Sequence, residues 1–253
     1  VKNDSGMFRI FISDLISLVQ AEKNENPEGI AKLLTERIAA WQLFMRSSGK
    51  KFTKEKQLGL YGELVFLESC LKSGIIIDQL PEFWTGPMRG THDFHMSDEI
   101  DAEVKASLVD DPFKANIHSL DQLDLGNAKT LYVVAVKFKK SQDNSLNLIE
   151  YISKIRERLP NKFIKNQFDS LILAEGLDIT NQNQKYLKLK IENIYLFNSD
   201  ELHKLTRANS PGIISAHYQI VIYDINSVTR DSLVKRASDF NEFINKFSAK
   251  AIL

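Results

Sequence analysis

The sequence predicts a mixed α/β (α+β) fold, in which helices flank one mixed β-sheet and a helical segment precedes it. Two observations support this class. Up to Gly74 the apolar residues recur at the spacing of amphipathic helices. After Gly74 the apolar segments become short and β-branched, are bounded by Gly, Pro, Asn and Asp, and alternate with further helical segments. Such alternation is typical of a sheet flanked by helices.

Three helices are predicted before Gly74. The first covers Phe8–Val19 and ends before a turn at residues 26–29, where Asn, Pro and Gly lie close together. The second begins at Ile30 and stops at residues 47–49, which read Ser-Ser-Gly. The third runs from about Thr53 to Lys72.

Strands and helices are then predicted in turn. The predicted strands are Ile75–Ile77, Asp93–Met96, Ile100–Ser107, Leu131–Phe138, Ser170–Ala174, Ile194–Phe197 and Tyr218–Tyr223. The predicted helices are Ser119–Leu125, Leu148–Leu159, Gln182–Lys190, Ser199–Leu205 and about Ser232–Phe247.

The overall charge excludes two classes of protein. The chain has 33 Lys and Arg against 33 Asp and Glu, and 43% of its residues are hydrophobic. A disordered chain combines low hydrophobicity with high net charge, so this chain is expected to fold. A nonspecific nucleic-acid coat carries an excess of Lys and Arg, so any nucleic-acid role must depend on a local site.

The chain also lacks the features of a secreted or membrane protein. Cys70 is its single cysteine, which excludes an internal disulfide and fits a reducing compartment. The longest apolar run, Leu131–Val136, is far shorter than the roughly 20 residues of a membrane-spanning helix. We therefore predict a cytoplasmic protein with no membrane partner.

The strand Ile100–Ser107 concentrates reactive side chains on one face. Residues two apart in a strand point to the same side, so Asp101, Glu103, Lys105 and Ser107 share a face. A row of acid, acid, amine and hydroxyl is costly to bury unless a charged group lies over it, and a divalent cation would serve.

Magnesium matches this set of donors. Mg²⁺ keeps several waters and needs only one or two carboxylates from the protein. Asp93 and Glu103 can supply these, with the backbone carbonyl of Val104 as a third oxygen, and Lys105 can then position or deprotonate a water. This arrangement predicts metal-assisted phosphodiester hydrolysis. The alternative is a solvated edge strand on which Glu103 and Lys105 merely pair.

Glu63 flanks the apolar stripe of the third helix. A buried carboxylate needs a lysine, a metal or a hydrogen-bond network, although a salt bridge at the rim of the core would also satisfy it. Gly59 and Gly62 lower the helix propensity around it, which indicates close packing of this helix against the sheet.

Five segments of the chain together resemble the PD-(D/E)XK nuclease superfamily. More narrowly, they resemble a bacterial family of that superfamily associated with restriction and phage-defence genes. The segments are Gly59–Leu64, Trp84–Pro87, His92–Phe94, Glu103–Ser107 and Ser119–Leu123.

The resemblance implies a restriction-endonuclease-like core sheet flanked by helices, formed by residues 50–253, with residues 1–49 as a helical segment packed on it. It also implies roles at the site. Glu63 matches the helix acid, Asp93 and Glu103 the motif acids and Lys105 the motif lysine, around Mg²⁺ for which Mn²⁺ can substitute. Gln122 matches a glutamine that orients substrate or water in some members.

One position departs from the family pattern, and the residues disfavour zinc and thiol chemistry. The proline that precedes the motif Asp is His92 here, a place where members vary. Zinc is disfavoured because His92 and His95 would point to opposite faces of a strand. A nucleophilic thiol is disfavoured because Cys70 has no evident His partner.

The expected function is therefore an Mg²⁺-dependent DNA endonuclease of restriction or phage defence. Ser107, Lys54 and Lys56 are candidate contacts to the nucleic acid. Partner proteins of a defence complex or a homodimer are expected, since double-strand cutting usually needs two sites. The alternative function is a noncatalytic subunit of such a complex that keeps the fold and binds DNA or a partner protein.

Overall fold

A computed structural model describes residues 4–22, 26–47, 52–108, 112–141, 145–177, 185–223 and 230–250. The helices are α1 Asp4–Ala21, α2 Pro27–Ser47, α3 Lys54–Lys72, α4 Leu80–Phe83, α5 Leu148–Arg158, α6 Lys162–Ala174 and α7 Arg230–Lys250. The strands are β1 Phe94–Ser97, β2 Ile100–Ser107, β3 Phe113–Ile117, β4 Thr130–Lys140, β5 Leu189–Asn198 and β6 Tyr218–Tyr223.

The strands form two sheets and not the single sheet that the sequence predicted. The main sheet has the order β1-β2-β4-β5, with β2 and β4 parallel and the other pairs antiparallel. The strands β3 and β6 pair with each other as an antiparallel ribbon. The mixed α/β class with flanking helices is confirmed, and β2 is an interior strand of the main sheet.

The two faces of the main sheet are covered by different elements. Helix α3 packs on the face that carries Val104 and Ala106. Glu103 is in register with Val133 of β4, and Lys105 with Ala135, so all four residues lie on the opposite face. There the inward side chains of the β3–β6 ribbon form a second apolar core with β4 and β5.

Helix α3 lies unusually close to β2. The helix starts at the N-cap Thr53, whose hydroxyl accepts a hydrogen bond from the Lys56 amide at 3.3 Å. A Cβ atom on Gly62 would lie 2.9 Å from the Cβ of Ala106 and 3.3 Å from a methyl carbon of Val104. The glycine therefore permits the close approach. Gly59 has no such neighbour within 4 Å, so the prediction of close packing holds for Gly62 and is wrong for Gly59.

The amino-terminal helices are tied to α6 by a buried arginine. Arg37 of α2 donates to Ser170 at 2.8 Å, to the Asn166 carbonyl at 3.2 Å, and to the carboxylate of Asp14 in α1 at 2.9 Å. These charge-assisted bonds hold α1 and α2 against the body of the protein. The proposed division between residues 49 and 50 falls outside the described residues and stays a prediction.

Several predicted elements differ in the structure. Ile75–Ile77 is irregular, Ser119–Leu125 is a series of turns, Ser170–Ala174 is the end of helix α6, and only Ser199–Glu201 of Ser199–Leu205 is helical, as one 3₁₀ turn. Within Gln182–Lys190, residues 182–184 lie outside the described residues, and the last two belong to β5. The strand β3 and the start of α6 were not predicted.

Among the helices described, none is long and apolar enough to cross a membrane.

The two glycines of α3 provide a matched test of the helix–sheet contact. Gly62→Ala inserts a methyl group against the Ala106 Cβ and should destabilise the fold by about 1–3 kcal/mol, because a packed core resists added volume. Gly59→Ala meets open space and should stabilise it by up to about 1 kcal/mol through helix propensity. Urea unfolding measures both, and equal effects would contradict the close packing at Gly62.

Candidate active site

The loop before β1 places Asp93 beside the middle of β2. Its Oδ2 accepts a hydrogen bond from the Val104 amide at 2.8 Å. Its backbone carbonyl accepts from the amides of Thr85 and Gly86 at 2.9 and 3.1 Å. Asp93 therefore links β2 to the turn that begins at Thr85.

Glu63 reaches the same place from α3. Its Oε2 accepts a hydrogen bond from the indole nitrogen of the buried Trp84 at 2.7 Å. A Cβ atom on Gly86 would lie 3.0 Å from this Oε2 and 3.0 Å from Oδ1 of Asp93. Two carboxylate oxygens from different elements thus face one small space, which is kept open because residue 86 has no side chain.

Glu103 and Lys105 form an ion pair in the interior. Lys105 Nζ lies 2.8 Å from Oε1 of Glu103, and the residues are 9% and 1% exposed. The sequence left open a solvated pair on an edge strand, and that interpretation is wrong because β2 is interior and the pair is buried. A buried pair of this kind loses much of its Coulombic gain to desolvation, so its stability contribution does not explain its presence.

Burial and mutual repulsion make the two facing carboxyl groups hard to ionise. Burial raises the pKa of Glu63 well above its usual range, and the charges of Asp93 and Glu175 raise it further. Burial likewise raises the pKa of Asp93, with the charge of Glu103 adding to the effect. A bound cation would oppose both effects, since an opposite charge favours the ionised form.

Glu175 is a fourth acid that the sequence did not predict. It caps the carboxyl end of α6, where a negative charge is unfavourable because it opposes the helix dipole. Burial raises its pKa, and the charge of Lys56 lowers it. Its charge also acts on Glu63 and Asp93. The sequence predicted a strand that ends at Ala174, which gives Glu175 no special position. The signal for it is a glutamate followed by Gly176, because a glycine often ends a helix.

We refer to Glu63, Asp93, Glu103 and Glu175 as the acid cluster. Its carboxylate oxygens are of the type that hard cations such as Mg²⁺ prefer, and the space at Gly86 faces two of them. No three His, Cys, Asp or Glu side chains within the described ranges are already gathered closely enough to hold a metal ion. The two carboxylate oxygens that face the space at Gly86 are within the small number of protein ligands that Mg²⁺ takes, since it keeps several waters.

The remaining predicted residues lie around this cluster. Ser107 is buried at the end of β2, on the face of Lys105. Gln122 lies in a turn and not on the expected helix, and its Oε1 accepts a hydrogen bond from the His118 amide at 3.0 Å. Lys54 and Lys56 are exposed in the first turn of α3. Of these two, Lys56 acts electrostatically on Glu175.

The sequence predicted that His92 and His95 point to opposite faces of a strand, and that prediction is wrong. His92 precedes β1, so strand alternation does not apply to it, and both rings reach Asp101. The Nδ1 atoms of His92 and His95 lie 2.7 and 2.8 Å from its two carboxylate oxygens. His92 Nε2 also lies 2.8 Å from the Asp124 carbonyl oxygen, so the histidine at the proline position anchors the loop beside β2.

Cys70 is fully buried in the apolar core, and burial raises the pKa of its thiol. A raised thiol pKa disfavours the reactive thiolate.

Comparison with known proteins gives one informative match. The model of a family described as "Putative PD-(D/E)XK family member, (DUF4420)" matches residues 1–223. No curated protein and no solved structure matches the chain.

The raised carboxyl pKa values predict a pH effect on the metal-free protein. A carboxyl group whose pKa is raised by folding stabilises the fold below its unfolded pKa, and that contribution is lost as the pH rises through the folded value. Asp93→Asn removes the charge but keeps an acceptor for the Val104 amide. In EDTA at pH 8 it should raise the free energy of unfolding by about 1 kcal/mol or more, and much less at pH 4.

Thermal unfolding between pH 4 and 8 measures the difference. Asp98→Asn, at an exposed turn residue, is the control and should leave the pH profile of stability unchanged. An Asp93→Asn protein that is less stable than the wild type at pH 8 would contradict a repulsive site.

Proposed function

This chain belongs to the PD-(D/E)XK family whose model it matches, and from that premise we propose that it is an Mg²⁺-dependent DNA endonuclease. One observation carries the proposal. Glu63 and Asp93 converge on a space kept open by Gly86. The charges of the buried Glu103–Lys105 pair on the adjacent strand β2 also shift the pKa of Asp93, with Glu103 raising it and Lys105 lowering it.

The chain supplies both kinds of group that phosphodiester hydrolysis needs, namely oxygen ligands for a metal ion and the positively charged amine of Lys105. Asp93 and Glu103, with the Val104 carbonyl, would hold Mg²⁺ or Mn²⁺, and Glu63 would support them from α3. When bound, the cation polarises the phosphate, offsets the negative charge of the carboxylates and lowers the pKa of a bound water.

Lys105 is the protein's own positively charged group at the site. Its amine is held at Glu103 and is excluded from bulk water, and in this buried position its charge acts more strongly than it would at the surface. We propose that it orients the attacking water and stabilises the charge that develops on the phosphate. Lys56, exposed at the start of α3, would contact a flanking phosphate.

The setting of this activity is also a proposal. The resemblance to restriction- and defence-associated nucleases supports a cytoplasmic role in restriction or phage defence. A homodimer or a partner protein would supply the second site that double-strand cleavage requires.

One observation favours the noncatalytic alternative. Lys105 is occupied by Glu103, and within the part of the chain that the structure describes no three acids are already gathered around a metal position. A noncatalytic subunit would bind DNA or its partner protein without a metal.

Lys105 offers the sharpest test of catalysis. Lys105→Ala should reduce cleavage of supercoiled plasmid in Mg²⁺ or Mn²⁺ by at least about 100-fold, because it removes a charge placed for the transition state. The substitution also leaves Glu103 unpaired, at a cost of about 3–5 kcal/mol, so Glu103→Gln is assayed beside it and both melting temperatures are recorded.

Lys129→Ala is the matched control, since Lys129 is an exposed lysine paired with Glu99 and should not affect cleavage. Cleavage that survives in a folded Lys105→Ala protein would contradict the proposed role.

Metal binding separates the two functions directly. Isothermal calorimetry with Mn²⁺ should show binding to the wild type that is lost in Asp93→Ala and kept in Asp98→Ala. The reason is that Asp93 contributes a carboxylate to the space at Gly86, whereas Asp98 lies in an exposed turn. DNA binding without any metal binding by the wild type would favour the noncatalytic subunit.

A further inference from the structure

The β3–β6 ribbon covers the sheet face that carries the catalytic candidates. Its inward residues, including Phe113, Ile117 and Ile220, pack against β4 and β5 on the face shared by Glu103 and Lys105. The ribbon is therefore a separate layer above the buried ion pair, and its other surface faces solvent.

The solvent-facing side of the ribbon carries no negative charge. The exposed residues of its two strands are Lys114 and Asn116 on β3 and Gln219 and Val221 on β6. Register pairs Lys114 with Val221 and Asn116 with Gln219. The amide nitrogen of Gln219 donates to the amide oxygen of Asn116 at 3.1 Å, so two amide side chains form one polar unit at the centre of this face.

The same row of side chains leads toward the candidate active site. His118 directly follows β3, and its ring lies 5.8 Å from that of His217, which directly precedes β6. Both histidines are exposed. Partial desolvation lowers the pKa of His118, and the charge of Lys105 lowers it further, so this end of the ribbon is within electrostatic reach of Lys105.

We propose that the exposed face of the β3–β6 ribbon is the surface on which duplex DNA lies, with Lys114 at a phosphate and the Asn116–Gln219 pair at base edges in the major groove. The inference rests on the proposed endonuclease function and names the contact surface that would serve it.

Three physical arguments favour this occupant. A two-stranded ribbon has the dimensions that the major groove admits. Asn and Gln amides match the donor and acceptor pattern of adenine, and an apolar side chain such as Val221 can contact the thymine methyl group. The exposed residues of β3 and β6 include Lys114 and no acid, so this face offers a positive charge and no repulsion to the phosphate backbone, although the chain as a whole is neutral.

The experiment measures binding of a fluorescein-labelled mixed-sequence DNA duplex by anisotropy, in Ca²⁺ and at several salt concentrations. Lys114→Ala should weaken binding and reduce the slope of log affinity against log salt by about 1, because one phosphate contact is lost. The double variant Asn116→Ala with Gln219→Ala should weaken binding about tenfold or more and leave the salt slope unchanged, because amides release no counterions.

Exposed residues of the same types on other elements provide the controls. Lys235→Ala on α7 and Gln42→Ala on α2 should bind the duplex as the wild type does. Melting temperatures of all variants should match the wild type, since each substituted side chain is exposed.

The possible results separate this inference from the proposed function. If the wild type binds and cleaves the duplex while the ribbon variants behave like the controls, the ribbon inference is wrong and the endonuclease stands. If the wild type neither binds nor cleaves the duplex, both are wrong. A loss of affinity that is equal for duplex and single-stranded DNA would overturn base-edge contact in the major groove.

Discussion

The rest of the structure depends on the enclosure of like-charged carboxylates in one place. Glu63 and Asp93 face the same small space, and burial and mutual repulsion both oppose their ionisation. A fold that needed only stability would not keep this arrangement, because apolar side chains would fill the space at less cost. The surrounding elements hold the carboxylates in position against that repulsion.

Three local contacts hold them. The Val104 amide binds the Asp93 carboxylate, the Trp84 indole binds the Glu63 carboxylate, and Gly62 lets α3 approach β2 closely enough for Glu63 to reach the site. Neither hydrogen bond adds a positive charge, so neither neutralises the repulsion. The charge of Lys105 opposes the effect at Asp93 only in part, because the pKa of Asp93 stays raised. A bound cation would favour the ionised form of both acids.

The division of the strands into two sheets gives each face of the main sheet a different role. One face packs on α3 and carries small side chains so that the helix can lie close. The other face carries the Glu103–Lys105 pair beneath the β3–β6 ribbon. Because the chain as a whole is neutral, its overall electric field contributes little to the binding of a charged ligand. Any such binding would depend on local charges, such as those of the Glu103–Lys105 pair.

The misplaced elements have physical explanations. Ser170–Ala174 contains a short apolar run, and such a run does not distinguish a strand from a buried helix. The cap at Asn161, whose side chain accepts from the Ile164 amide at 2.9 Å, marks the true start of α6. The strand Phe113–Ile117 has alternating burial but contains Ala and Asn, which are depleted in strands. Because Ser170–Ala174 was assigned to a strand, Glu175 at the end of α6 was not among the predicted site residues.

By itself the sequence determined the class of fold, the three long helices before Gly74, the bounds of β2 and β6, and the presence of Glu103 and Lys105 on one face of β2. These features depend on periodicity and on spacing within one segment, which a linear chain displays directly. Only the tertiary structure decided that Glu63 and Asp93 face one space, that the charge of Glu175 acts on both, that His92 and His95 meet at Asp101, and that β3 pairs with β6. Each of these relations joins segments that are distant or irregular in the chain. The packing of helices on a sheet sets the distances between such segments, and no local pattern of residues records them.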